Sequence, residues 1–365
     1  MKKTILVYGA GAIGRGYLPW VFSPDEFDFM FVDRNPDLVE SLRRRGSYTT
    51  FRTKDGKYEK QQVPVAGAFL LGEEKSILQK TNALCLAVGP RNVVDVAHQL
   101  SGVSLPIIAF ENDSSVPEIV SSITGNKRVY FGIPDVITSN TAPEQLLRHD
   151  PLSIVTEDGT CFVDNRAGDI GGQANYIDVN ELNKQWIAKL YIHNTPHCVT
   201  AYLGALMGKK YVHEAMAVEG AARIVRGTME EMVRLVTEHF GVELTFARWY
   251  ADKELSRFAN HLLFDPVSRV AREPFRKLAP AERLIGAANL ALSRGILPKH
   301  LSAGIMAAFF YNEGRDADAH IRHLIGALSP NHFLEIILKL PPSTALHNLL
   351  LAEWGANSNR LASLS

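Results

Sequence analysis

One short stretch limits what this chain can fold into more than any other. Residues 4–8 form a brief apolar run, and Gly9-Ala10-Gly11-Ala12-Ile13-Gly14 follows directly. A GxGxxG pattern alone is weak, but between a strand and a helix it reads as a dinucleotide loop. The first glycine makes the tight turn, the second lets a pyrophosphate approach the backbone, and the third lets helix and strand pack closely. The helix N-terminus then faces the anion. A second apolar run, 27–32, ends at Asp33, 19 residues beyond Gly14. A carboxylate there holds the hydroxyls of an adenosine ribose and repels the extra phosphate of NADP, so NAD is the expected cofactor. Arg34, next to it, is the residue type that accepts such a phosphate. A purely structural glycine turn with a helix-capping Asp33 is the plain alternative.

The pattern continues as alternating strands and helices. Helices are expected over 12–22 and Pro36–Arg45, with Pro19 standing oddly inside the first. Residues 48–63 read as a hairpin around Asp55-Gly56, and 152–163 as another around Asp158-Gly159. The continuous apolar runs 83–88 and 106–110 suit parallel strands covered on both faces, and 127–133 adds a later strand. Residues 164–180 are rich in Gly, Asp and Asn and read as a linker. Beyond it the spacing predicts helices only, over 211–240, 244–261, 281–294, 299–311, 317–328 and 344–354. The expected fold class is therefore α/β plus all-α. A Rossmann-type domain spans 1–180 and a helical domain 181–365, and such pairs usually place an active site in the cleft between them.

Composition narrows the function. The 39 basic residues equal the 39 acidic ones, so no global field draws the chain to nucleic acid. No apolar run has the roughly 18 residues of a membrane helix. The three cysteines, Cys85, Cys161 and Cys198, form no CxxC and fit a reducing cytosol, so a cytoplasmic location is expected. A dinucleotide domain points to hydride transfer, and the alcohol proton then needs an acceptor. No Tyr-x-x-x-Lys relay occurs and no clustered zinc ligands are visible, so no metal is expected. That leaves His or Lys.

The segment 189–197, Lys-Leu-Tyr-Ile-His-Asn-Thr-Pro-His, is the candidate. Lys189, His193 and His197 are four residues apart and share one helix face. Thr195 is expected to cap and Pro196 to restart the helix, leaving the Asn194 amide at a break. An amphipathic helix with a solvated lysine explains the same spacing. His213, His261, His300, His320 and His323 read as helix-surface or packing residues, and Glu230 and Glu231 as solvated or ion-paired residues of a long helix. Cys85 and Cys198 read as small hydrophobes.

With these residues in place the chain resembles the polyol-specific long-chain dehydrogenases. The resemblance runs from Gly9-Ala-Gly-Ala-Ile-Gly-Arg-Gly16 through Gly89-Pro90 and Glu111-Asn112 to Lys189-x4-Asn194-x2-His197. It continues in Arg257-Phe258-x-Asn260, in Arg272-x-Pro274-x-Arg276-Lys277-Leu278 and in Gly295-Ile-Leu-Pro298. It implies a metal-independent NAD enzyme with Gly9, Gly11, Ile13, Gly14, Asp33, Gly89, Pro90, Glu111 and Asn112 around the cofactor. Lys189 resembles the family's general acid/base. Asn112 and Asn194 resemble the amides that steady the reacting oxygen, and His197 a residue that orients it. Lys277 resembles a substrate-binding lysine.

Five cations between 269 and 283 face two acids there, and Arg272, Arg276 and Lys277 resemble the sugar-phosphate branch of the family. The implied reaction interconverts a hexitol 1-phosphate, mannitol 1-phosphate foremost, with fructose 6-phosphate. An unphosphorylated polyol or a hexuronate is the alternative substrate class, and a non-catalytic NAD-binding module the alternative role. The resemblance also implies a monomer or homodimer. Two departures stand out. Ser139-Asn140 occupies the place of an Asp-Arg pair, and Trp186 stands where some relatives carry a proton-relaying carboxylate, so another acid such as Glu219 would have to serve.

Overall fold

The computed structural model describes residues 2–139, 142–168, 170–311 and 320–362. The chain divides into two compact units, Met1–Trp186 and Ile187–Ser365.

The first unit is built on a ten-stranded sheet. Its strands are β1 (Lys3–Tyr8), β2 (Phe27–Asp33), β3 (Ser47–Lys54), β4 (Lys57–Leu70), β5 (Ala83–Leu86), β6 (Ile107–Ala109), β7 (Val129–Asp135), β8 (Ile154–Glu157), β9 (Thr160–Asp164) and β10 (Asn175–Ile177). Their spatial order is β10-β9-β7-β6-β5-β1-β2-β4-β3-β8. The middle five, β7-β6-β5-β1-β2, are parallel. β1 shows why its run is apolar throughout: Ile5 and Val7 join one core and Leu6 and Tyr8 the other, on opposite faces.

The two Asp-Gly pairs behave differently. At Asp55-Gly56 both residues take positive φ, 48° and 74°, and join β3 to β4 in an antiparallel hairpin. Asp158-Gly159 makes no hairpin, contrary to expectation. β8 pairs in parallel with β3 and β9 antiparallel with β7, so the two strands part for different places in the sheet. Gly159 serves close packing instead: a Cβ there would lie 2.5 Å from the Asp135 carbonyl oxygen. The expected linker also holds structure, since β10 pairs with β9 within it.

The helical expectation over 12–22 is met by a π-helical turn, Ala12–Tyr17, running into an α-helical turn, Leu18–Val21. Pro19 stands in the first turn of that second piece, where a missing N–H costs nothing. The same arrangement recurs at Pro196, which opens the helix Thr195–Leu206 behind the π-helical turn Lys189–Asn194. A widened turn upstream spares the ring its clash with the preceding turn.

Beyond β10 the described residues form helices and no further strand. Thr195–Leu206 is buried over its first ten residues. Gly204 and Gly304 give it close neighbours: a Cβ on Gly304 would stand 2.4 Å from Val199. The expected helix over 211–240 is broken, because Val218 adopts an extended conformation between Val212–Met216 and Glu219–Phe240. Glu231 is buried and paired with the His300 ring at 2.9 Å, the ion-paired alternative. It accepts the backbone N–H groups of His300 and Leu301 at 2.7 and 2.9 Å, fixing the start of the helix Lys299–Phe309. Part of the 317–328 expectation, and Asn140, lie outside the described residues.

Candidate functional site

In the N-terminal unit the glycine loop leaves β1 as its spacing demands. Gly9 has φ 92°, and a Cβ on it would meet the Ala87 carbonyl oxygen at 2.3 Å. A Cβ on Gly14 would meet the Gly9 carbonyl oxygen at 2.0 Å. A Cβ on Gly11 would meet nothing within 4 Å. Two glycines are thus required by packing, and the third faces open space. That space is a pocket of about 200 Å³ lined by Gly9, Gly11, Asp33, Arg34, Val88 and Asn92, among others. Ile13 packs against the sheet core.

Asp33 ends β2 beside this pocket. Its Oδ2 accepts the Ala10 N–H at 2.8 Å and its Oδ1 the Asn35 N–H at 2.9 Å, so the carboxylate is fixed with lone pairs to spare. The Arg34 guanidinium donates to Asn92 Oδ1 at 2.9 Å. At the next strand ends, Gly89 (φ 86°) precedes the turn that Pro90 opens, and Glu111 is buried beneath it. Glu111 Oε1 accepts the N–H groups of Val88 and Gly89 at 2.7 and 3.1 Å. Burial pushes the Glu111 carboxyl up, the two amide bonds oppose that, and it settles at about 7. Asn112 follows on the exposed side. A loop with room at its second glycine, beside a fixed carboxylate, fits a dinucleotide.

In the helical unit the candidate segment is continuous helix. Asn194 has helical φ and ψ, and no break occurs there. Thr195 does not cap: its Oγ1 donates to the Arg283 carbonyl at 2.8 Å. The π-helical turn starts at Lys189 itself, and Lys189, His193, Asn194 and His197 are all buried. The solvated-lysine alternative is thereby excluded. The His193 and His197 rings lie 4.9 Å apart, and His197 stacks on Phe258 at 5.0 Å with planes 10° apart.

Each imidazole is tied to a buried carboxylate. His193 Nδ1 bonds Glu254 Oε2, and Glu254 Oε1 bonds Arg257. His197 Nε2 bonds Asp265 Oδ2 at 2.8 Å, and Asp265 Oδ1 accepts Arg269 Nε at 2.9 Å. Burial pushes the Asp265 carboxyl up, but Arg269 and the His197 hydrogen bond outweigh it and hold it at about 2. Neither Glu254 nor Asp265 was singled out from sequence. Arg257-Phe258 pointed to the right helix, but nothing local marks its glutamate. Glu219, the acid considered there, is exposed and paired with Arg226 at 2.7 Å. Trp186 is buried edge-on against Phe131, at 5.3 Å.

The basic stretch is less free than its charge count implies. Lys277 is buried, and its ammonium donates to the carbonyls of Val270 and Arg272. Burial brings it down to about 8, with Arg283, Arg276 and Arg272 adding to the effect against Cys198. Arg276 pairs with Glu273 and Glu282 at 3.0 and 3.2 Å, and Arg283 with Glu282 at 3.3 Å. Arg272 is exposed, next to Glu273, which holds a left-handed φ of 60°. Among the described residues no three His, Cys, Asp or Glu side chains are placed to hold a metal ion, and no helix is long and apolar enough to cross a membrane.

Residues 182–326 match the mannitol dehydrogenase C-terminal domain. The mannitol-1-phosphate 5-dehydrogenase of Thermoanaerobacter pseudethanolicus is 28% identical over 338 residues, 86% of this chain and 87% of that one. The enzyme of the same name from Exiguobacterium sp. is 29% identical, over 95% and 96% of the two chains. Among solved structures, a Pseudomonas fluorescens mannitol 2-dehydrogenase ternary complex with NAD and D-mannitol superposes with a TM-score of 0.79 at 14% identity, over 100% of this chain and 93% of that one. The chain is thus similar to mannitol-type dehydrogenases over most of its length, and residues 182–326 match the mannitol dehydrogenase C-terminal domain.

Proposed function

We propose that this protein is a metal-independent, NAD-dependent dehydrogenase that interconverts a hexitol 1-phosphate, mannitol 1-phosphate foremost, with fructose 6-phosphate. The observation that carries the reading is the buried Lys189 on one helix with Asn194 and two imidazoles, each imidazole tied to a carboxylate. The bound nicotinamide supplies a hydride acceptor. Lys189, in its neutral form, takes the proton of the substrate hydroxyl. Asn194 donates its amide N–H to the oxygen as charge grows on it, worth about 3–4 kcal/mol by analogy with measured oxyanion donors, and Asn112 is assigned a like role on the family resemblance alone. His197 gives its Nε2–H to Asp265, which leaves Nδ1 to accept from a substrate hydroxyl. Gly9, Gly11, Gly14 and Asp33 hold the dinucleotide, and the carboxylate of Asp33 favours NAD over NADP.

The phosphate is assigned to the exposed Arg272 with Arg276, supported by the names of the two bacterial relatives. The ion pairs of Arg276 and Arg283 favour a second reading, an unphosphorylated polyol, since a phosphate would have to compete with Glu273 and Glu282. A reducing cytosol suits the three buried free thiols. The deciding experiment follows NADH oxidation with fructose 6-phosphate and with fructose, then repeats it with NADPH. Turnover of fructose 6-phosphate alone, with NADH, is the expected result. Preference for fructose overturns the phosphate assignment. Tight NADH binding without turnover of any ketose or polyol overturns the enzyme reading.

A further inference from the structure

Two strand ends that are not neighbours are joined across the pocket of the N-terminal unit. Arg34 follows β2, and Asn92 closes the turn Pro90–Asn92 after β5, with β1 and its glycine loop between them. Two strand spacings separate β2 from β5, about 9–10 Å. The Arg34 guanidinium crosses that gap to Asn92 Oδ1 at 2.9 Å, and both residues line the pocket.

Asn92 is a fixed post and Arg34 a flexible arm. The Asn92 backbone N–H donates to the Gly89 carbonyl at 2.9 Å, and its side-chain Nδ2 donates to the Val88 carbonyl at 2.7 Å. Val88 is held in turn, its own N–H on Glu111 Oε1. With Nδ2 committed to a carbonyl the amide cannot turn over, so Oδ1 stays the acceptor that Arg34 meets. Arg34 is exposed, and this is the one hydrogen bond its guanidinium makes among the described residues. Asp33 and Asp95 line the same pocket, and neither forms an ion pair with it.

A guanidinium is the group that receives the 2′-phosphate of NADP, and Arg34 follows the carboxylate that marks the ribose position. Drawn across β1 to the β5 turn, it is turned away from that position. We propose that Asn92 is a positioning residue for cofactor choice, holding the Arg34 guanidinium across the pocket and so withholding it from a 2′-phosphate. Asp33 repels that phosphate, and Asn92 restrains the cation that would offset the repulsion. This rests on the dinucleotide reading and goes beyond it by assigning selectivity to a residue that acts through another.

The test titrates AMP and adenosine 2′,5′-bisphosphate by calorimetry into four forms of the full chain: unaltered, Asn92→Ala, Arg34→Ala and the double variant. In Asn92→Ala the bisphosphate should gain about tenfold relative to AMP, the scale of one hydrogen bond to a charged group. That gain should vanish in the double variant, and Arg34→Ala alone should leave the ratio of the two affinities as it is in the unaltered protein. An unchanged ratio in Asn92→Ala, or a gain that persists without Arg34, overturns the proposal. So does an equal change for both ligands, which makes Asn92 only a support of the turn. A loss of bisphosphate affinity relative to AMP in Arg34→Ala alone shows the guanidinium reaching the phosphate despite its tether, and also overturns it. Failure of the unaltered protein to bind AMP or NADH overturns the dinucleotide reading itself. Should Asn92→Ala not fold, the ratio in the surface variant Arg34→Ala still decides.

Discussion

Glu254 and His193 are joined by a hydrogen bond in which a wholly buried carboxylate accepts from an imidazole one helical turn beyond Lys189. The other carboxylate oxygen is held by Arg257, itself buried. Removing the carboxylate takes away the negative charge that both a buried imidazole and a buried guanidinium meet. Glu254→Leu should therefore cost about 3–5 kcal/mol of stability, as expected for breaking a buried pair from one side. Glu254→Gln, which keeps a hydrogen-bonding group, should cost less. Urea unfolding followed by circular dichroism measures both, and equal stability of the Leu variant would show that the pair contributes nothing.

Lys189→Ala should lower turnover by about 10²–10⁴, the usual worth of a positioned acid–base group. NADH affinity should stay near that of the unaltered protein, because every residue lining the described pocket belongs to the other unit. Steady-state rates and a fluorescence titration of NADH separate the two effects. A variant that keeps its rate excludes Lys189 as the base.

The glycines of the loop make opposite predictions. Gly14→Ala places a methyl 2.0 Å from a carbonyl oxygen and should unfold or distort the N-terminal unit. Gly11→Ala meets no atom, so it should melt normally yet bind NADH at least tenfold more weakly, its methyl filling the approach of the pyrophosphate. Thermal melts and NADH titrations distinguish the two. Normal NADH affinity in Gly11→Ala would move the pyrophosphate elsewhere.

Asp265 gives the helical unit an acid-side dependence. Its carboxyl sits at about 2 in the folded protein against an ordinary 3.8. A folded value held down stabilises above the unfolded value and loses that contribution as pH falls. The window is thus from about 4 down to 2, and the contribution near neutrality is about 2 kcal/mol. Unfolding stability measured from pH 6 to 2.5 should fall less steeply in Asp265→Asn than in the unaltered protein. Identical slopes would show that His197 and Arg269 do not hold the ionised form.

Asp33→Ser should raise the use of NADPH relative to NADH, since it removes the charge that repels a 2′-phosphate. It also removes the acceptor of the Ala10 N–H, so overall affinity for either dinucleotide should fall. Competing turnover with the two reduced cofactors measures the ratio. An unchanged ratio would remove Asp33 from cofactor choice.

Sequence by itself determined what short-range rules govern. The strand-turn-helix at Gly9–Gly14, the carboxylate at the end of β2, the hairpin at Asp55-Gly56 and the common face of Lys189, His193 and His197 follow from backbone sterics and helical period, which act over a few residues. Only tertiary structure decided the rest. Asp158-Gly159 looks like Asp55-Gly56, yet β8 and β9 part because each finds a better partner elsewhere in the sheet. The carboxylates that hold the two histidines come from 61 and 68 residues away. The cations 269–283 lose much of their charge to acids folded against them. The physical reason is the same in each case. A buried charge or an unpaired strand edge must be satisfied by whatever the packed chain brings to it, and no local pattern records which residue that will be.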